Sequence, residues 1–212
     1  MARAWRAARD HGVFLNVPFD TGYRKLFHAL VFAVHECGFV ARCALEADDG
    51  TQVRLEKLYG IIGECLYAVH DISRTSLDSV NRLPRFNMPL ELGIFLGAKR
   101  FGDARQRRKK ALILERTRFL CQKYCSDISG QDARAHDNDA LAAIHAVRNW
   151  LHTVRPKAGL PGWRRMGGRF VAFREKELPA ICRRLSLERR DLTFGEYRLL
   201  LEQWLEENPP RP

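Results

Sequence analysis

The run Val13-Phe14-Leu15-Asn16-Val17, closed by Pro18, decides the fold together with the residues that follow it. A short apolar run of this kind reads as a buried strand. Phe19-Asp20-Thr21-Gly22 is a turn. Tyr23 to Cys37 then carries Leu26, Phe27, Leu30, Val31 and Val34 at helical spacing, and Gly38 stands where such a helix should stop. Phe39 to Leu45 is a second strand, which completes a strand–helix–strand unit.

The alternation continues. Glu46-Ala47-Asp48-Asp49-Gly50 is an acidic turn, Thr51 is a candidate cap, and Gln52 to Glu64 is a helix with Val53, Leu55, Leu58, Ile61 and Ile62 apolar. Leu66 to Ile72 is a third strand, and Thr75 to Phe86 has no period and reads as a long loop. Asn87 is a suitable cap for the next helix, with Pro89 in its first turn and Met88, Leu92, Phe95 and Leu96 on one face. This spacing puts Glu91 in the first turn, where it could simply complement the helix dipole. Ala111 to Leu114 is a fourth strand, Phe119 to Ile128 a short helix, and Gly130 to His136 holds a weak fifth strand. Asp137 to Thr153 is a helix capped by Asp137 or Asn138, with Leu141, Ile144, Val147, Trp150 and Leu151 inward. Strands alternating with helices imply an α/β, doubly wound, mostly parallel sheet, and with about five strands the flavodoxin-like order 2-1-3-4-5 is the one expected among doubly wound topologies.

Residues 1–12 form a basic N-terminal segment, 13–154 the α/β domain and 155–212 a basic helical extension. Arg155-Pro156-Lys157-Ala158-Gly159-Leu160-Pro161-Gly162 marks the second boundary. Beyond it, Arg169 to Leu187 and Thr193 to Glu207 read as helices, the latter opening on a Thr193/Glu196 capping box with a Leu199, Leu200, Trp204, Leu205 stripe. An extension of this size is marginal alone and is expected to pack on the domain or to mediate oligomerisation.

Ligands of open α/β sheets bind at the carboxyl ends of the strands, near the switch in strand order. Asn16, Pro18, Phe19 and Asp20 follow the first strand. Arg42, Glu46, Asp48 and Asp49 follow the second. His70, Asp71, Ser73 and Arg74 follow the third, with Arg85, Phe86, Asn87 and Glu91 after the long loop. Carboxylates for ribose hydroxyls, arginines for phosphate and an aromatic for a base would suit a nucleotide. For single residues plainer roles compete: His70 as a core histidine, Asp71 as a turn cap, Asp48-Asp49-Gly50 as a turn. No Gly-x-Gly-x-x-Gly, Gly-x4-Gly-Lys-Ser/Thr or Gly-x-Ser-x-Gly is present, which argues against hydride-transfer Rossmann enzymes, P-loop NTPases and α/β-hydrolases.

Leu90-Glu91-Leu92-Gly93-Ile94-Phe95-Leu96-Gly97-Ala98-Lys99 resembles the glutamate-bearing helix of nucleoside 2-deoxyribosyltransferases. With the segments 13–20, 42–46, 70–74 and 84–93, the chain from Val13 to about Leu151 resembles bacterial TIR-like or deoxyribosyltransferase-like proteins of the type found in anti-phage systems. The resemblance implies cleavage or transfer across the N-glycosidic bond of NAD, a nucleoside or a nucleotide. Glu91 would be the central carboxylate at the anomeric carbon, and Asp71 would bind ribose or aid the leaving base. It implies no required cofactor, and a homo-oligomer that completes the pocket. Arg85 stands where deoxyribosyltransferases carry an acid. Two other function classes fit the same residues. One is a nucleotide-sensing module that signals to a protein partner through the extension. The other is a nucleic-acid-associated protein using Arg105 to Lys110 and the 155–190 region.

A net charge of +11 on 212 residues favours anionic partners, while 46% hydrophobic and 29% charged residues fit a soluble globular chain. No apolar run is long enough to span a bilayer, and Met1 to Gly12 lacks the apolar region of a secretory signal, so a cytoplasmic protein is expected, with no membrane partner. Cys121 and Cys125 are four apart without a second ligand pair, so buried free thiols rather than a metal site are expected for the six cysteines.

Overall fold

The computed structural model describes residues 11–46, 49–74, 86–123, 125–128 and 130–210. Five strands form one sheet in the order 2-1-3-4-5: β1 (Gly12–Asn16), β2 (Val40–Arg42), β3 (Tyr67–Asp71), β4 (Lys110–Glu115) and β5 (Ala133–Ala135). Every pairing is parallel, with Asn16 opposite His70 and Asp71 opposite Leu114. The expected α/β, doubly wound sheet is therefore the observed one.

Side chains alternate across the sheet. Val13, Leu15 and Val69 join the core shared with helix α1 (Arg24–Glu36) and helix α4 (Ala140–Val154). Phe14 and Ala68 join the smaller core under helix α2 (Arg54–Glu64) and helix α3 (Asn87–Phe101). Gly38, at φ +78°, ends α1 in the left-handed region that favours glycine. Lys109 is buried, and its ammonium donates to the carbonyls of Ile62 (2.6 Å) and Cys65 at the end of α2, while lying 4.6 Å over the Phe95 ring. It thus satisfies helix-end carbonyls that a buried C-terminus would otherwise leave bare.

The helix termini differ from the sequence expectation in instructive ways. Helix α2 starts after Val53, which is exposed at the N-cap, and Thr51 instead donates to Asp49. Phe86, not Asn87, is the N-cap of α3, so Glu91 falls in the second turn, away from the dipole's positive end. Asp139 caps α4 by accepting from Leu141 N, because Asp137 and Asn138 are both left-handed. Leu141 and Leu199, expected inward, are partly exposed. Among the described residues of 119–128 there are two single 3-10 turns in place of a helix.

Helix α1 is buried on nearly every side from Leu26 to Glu36. The reason is the extension. Helix α5 (Trp163–Ala172), a π-helical turn (Phe173–Glu177), α6 (Leu178–Arg184) and α7 (Phe194–Glu207) cover it. Phe170, Phe173, Leu178, Tyr197, Leu201 and Trp204 enter the same core as Leu30, Phe32 and Val34. Arg169 also forms a bidentate pair with the buried Glu36 (2.7 and 3.3 Å) and stacks on Trp204 at 4.8 Å. The predicted capping box is present, with Thr193 and Glu196 exchanging bonds. No helix among the described residues is long and apolar enough to cross a membrane.

Candidate functional site

The loops after β1, β3 and β5 and the start of α3 meet at the carboxyl edge of the sheet, and two buried networks join them. On the α2/α3 face, Asn16 uses both amide hydrogens: one goes to the carbonyl of Met88 (2.8 Å), the other to His70 Nδ1 (2.8 Å). That fixes His70 as the Nε2–H tautomer. Its Nε2 is buried without a hydrogen-bond partner, and its ring stands edge-on to Phe95 at 5.1 Å. Burial, and then the Lys109 charge, push the His70 pKa down to about 3. It is a neutral core histidine.

The Asn16–Met88 bond pins α3 to the end of β1. Glu91 follows three residues later and stands one turn before Phe95 on the same helix face. Its side chain is buried, at 7% exposure, and it makes no hydrogen bond or ion pair among the described residues. Burial pushes its carboxyl pKa up to about 7, with the Arg54 charge opposing. Burial reduces the solvation of this carboxylate, and no described residue donates to it, so its oxygens stay open to a ligand.

On the α1 face, Asp71 is fully buried and heavily bonded. Its Oδ2 accepts from the Tyr23 hydroxyl and from His136 Nε2 (2.9 Å), and its Oδ1 accepts from Ser73 N (2.9 Å). The Tyr23 hydroxyl is pushed well above its usual pKa, by burial first and by Asp71 second. His136 Nδ1 accepts from Asn138 N (3.0 Å), so the ring proton sits on Nε2, which faces both Asp71 and Ser73 Oγ (3.0 Å). Serine and aspartate therefore share one nitrogen. No basic nitrogen faces Ser73, and this is no nucleophilic triad, which needs the two on opposite ring atoms. The network ties three loops together. Three protein donors hold the Asp71 carboxylate in place, so it joins the loops after β3 and β5 to the start of α1. Strand alternation also sets it on the face opposite Glu91.

The remaining expected residues scatter. Asp20 Oδ1 accepts from Arg74 Nη2 (3.1 Å) and from Tyr23 N, which links the loops after β1 and β3. Pro18 is buried, and Phe19 is partly exposed but packs edge-on against Phe27. Phe86 and Asn87 are exposed at the start of α3. Arg42 is not brought to the site. Its stem passes Gly12, and its guanidinium pairs with Glu46 (2.6 Å) and Glu64 (3.1 Å). Asp48 and Arg85 lie outside the described residues. Tyr23 and His136 are the members that sequence reasoning missed. His136 ends the fifth strand's segment, so the rule that gathers strand ends would have found it; Tyr23 carries no local signal beyond opening a helix. Among the described residues no group of three or more His, Cys, Asp or Glu could hold a metal ion.

No model of a known protein family matches the sequence, and no curated protein or solved structure matches the chain.

Proposed function

We propose that this protein cleaves or transfers across the N-glycosidic bond of NAD, a nucleoside or a nucleotide, with Glu91 as the central carboxylate. The observation that carries the reading is the partnerless, desolvated state of Glu91 among the described residues, on a helix pinned to the switch-point edge of the sheet. Ionised, Glu91 attacks the anomeric carbon. The C1′–N bond breaks, its electron pair leaves with the base, and water or a second base then displaces the glutamyl ester. A substrate whose base departs without a proton suits this site best, because no titratable side chain bonds Glu91 among the described residues. The pyridinium of NAD is such a group, and its positive charge favours the ionised carboxylate.

The same site without turnover would be a nucleotide sensor. The decisive experiment incubates the protein and Glu91→Gln with NAD and a panel of nucleosides and nucleotides, at low and high protein concentration. Released base is then measured by chromatography. Release by the parent and not by the variant is the expected result. No release, with tight binding of one nucleotide in calorimetry, favours the sensor; neither release nor binding overturns both.

A further inference from the structure

A cavity lies away from Glu91, in the seam between α1 and the C-terminal extension. It has a volume of about 350 Å³ and is lined by Arg24, His28, Arg174, Glu188, Arg189 and Arg190. Four arginines and one glutamate line this space, with Glu175 and Asp191 beside three of the arginines. Cations that outnumber the carboxylates around a concave wall give it a positive field that favours an anion.

The local bonding leaves donors over. Arg174 is held by the π-helical turn and bonds Glu175 through Nη1, while its Nε is buried with no hydrogen-bond partner among the described residues. Native buried donors are rarely left bare, and a turn of the side chain toward the cavity would give this one an acceptor. Glu175 is shared with Arg189, 3.8 Å away, and Arg190 lies 3.6 Å from Asp191. Arg24 donates to the carbonyl of Arg190 (2.7 Å), which fixes the rim. Arg24 also opens α1, a helix with no acid in its first turn and no side-chain cap, so the positive end of its dipole adds to the field. His28 lies in the wall, stacked on Tyr197 at 3.8 Å. Burial and the charges of Arg174, Arg189 and Arg24 push its pKa down to about 3, so it presents a neutral ring.

We propose that this cavity binds a phosphate-bearing small molecule, a pyrophosphate or the phosphates of a nucleotide, clamping the extension onto α1. Arginine forks match phosphate oxygens in geometry as well as charge. The volume suits a compact anion or the phosphate end of a nucleotide. The inference stands apart from the glycosidase reading, since none of these residues belongs to the Glu91 site.

The test titrates the full chain with inorganic pyrophosphate, and separately with ADP and ATP, by calorimetry in phosphate-free buffer. The Arg174→Gln, Arg189→Gln and Glu91→Gln variants together assign the binding of pyrophosphate to this cavity or to the Glu91 site. Saturable binding is expected. Arg174→Gln and Arg189→Gln should each weaken it by about tenfold, the scale of one lost charge-assisted hydrogen bond. Arg100→Gln, an exposed charge elsewhere, and Glu91→Gln should leave it unchanged. Arg174→Lys, which keeps the charge and removes Nε, should weaken it too. Circular dichroism checks folding; should Arg174→Gln misfold, the surface variant Arg189→Gln decides. Tighter binding of ADP or ATP than of pyrophosphate, weakened by Arg189→Gln and not by Glu91→Gln, would identify a nucleotide as the source. No binding at millimolar pyrophosphate, or equal weakening by Arg100→Gln, overturns the proposal.

Discussion

Replacing Glu91 with Gln separates a functional carboxylate from a structural one. The Glu91 pKa moves from an ordinary 4.5 to about 7 on folding. Each unit corresponds to 1.36 kcal/mol, so the ionised side chain costs the fold about 3 kcal/mol. The sign follows from proton counts. Below pH 4.5 the folded and unfolded chains both hold the proton, and there is no cost. Between 4.5 and about 7 only the folded chain keeps it, so stability falls as pH rises. Above that both are ionised and the full cost is present. Gln has the same shape and no charge. At pH 8 Glu91→Gln should therefore be more stable than the parent by about 3 kcal/mol, a melting temperature about 6–12 °C higher for a chain of this size. At pH 4 the two should coincide. Urea unfolding of both proteins at the two pH values measures this directly. A variant that is less stable at pH 8, or equally shifted at both pH values, would falsify the claim that Glu91 lacks a partner among the described residues. Activity should move the other way: base release should rise with pH through about 7 in the parent and vanish in the variant. This is the trade of stability for function expected at a working site.

Other outcomes follow from the same contacts. Asp71→Asn turns an amide toward Tyr23 or His136 inside a buried network and should cost about 2–4 kcal/mol in denaturant unfolding. Arg169→Met removes the partner of buried Glu36 and should cost about 3 kcal/mol, with Glu36→Leu in the same chain recovering part of it in a double-mutant cycle. Thr193→Ala dissolves the α7 capping box and should lower stability by about 1 kcal/mol, leaving the urea slope unchanged. A chain ending at residue 154 exposes the apolar back of α1 and should aggregate or lose its cooperative melt, whereas an independent α/β domain would keep it.

Much of the fold was legible because local period carries it. The alternation of short apolar runs with 3.6-period helices gave the α/β class, the observed strand order was a choice among doubly wound topologies, and Gly38 and the Thr193/Glu196 pair marked ends by local chemistry alone. The helix starts at Val53, Phe86 and Asp139 were missed because several adjacent residues could cap, and tertiary packing chose among them. The string Leu26 to Glu36 is apolar almost all round, a pattern that belongs to a helix covered on both sides. The composition of the extension could not say that it supplies the second cover, although its stripes matched.

The sequence by itself determined an α/β chain whose polar residues gather at strand ends, with Glu91 on the helix after the third strand. Tertiary structure alone decided what those residues do. Asp71 and Glu91 lie at neighbouring strand and helix positions in any linear reading, yet the two-residue alternation of β3 sends Asp71 to the α1 face and His70 to the face of α3. Asp71 meets Tyr23 and His136, 48 and 65 residues away, and its charge is consumed there. Arg42 bends toward Glu46 and Glu64. Glu91 alone is buried and left without a donor among the described residues. Burial and partnership are properties of through-space neighbours, and only the closed sheet brings those neighbours together.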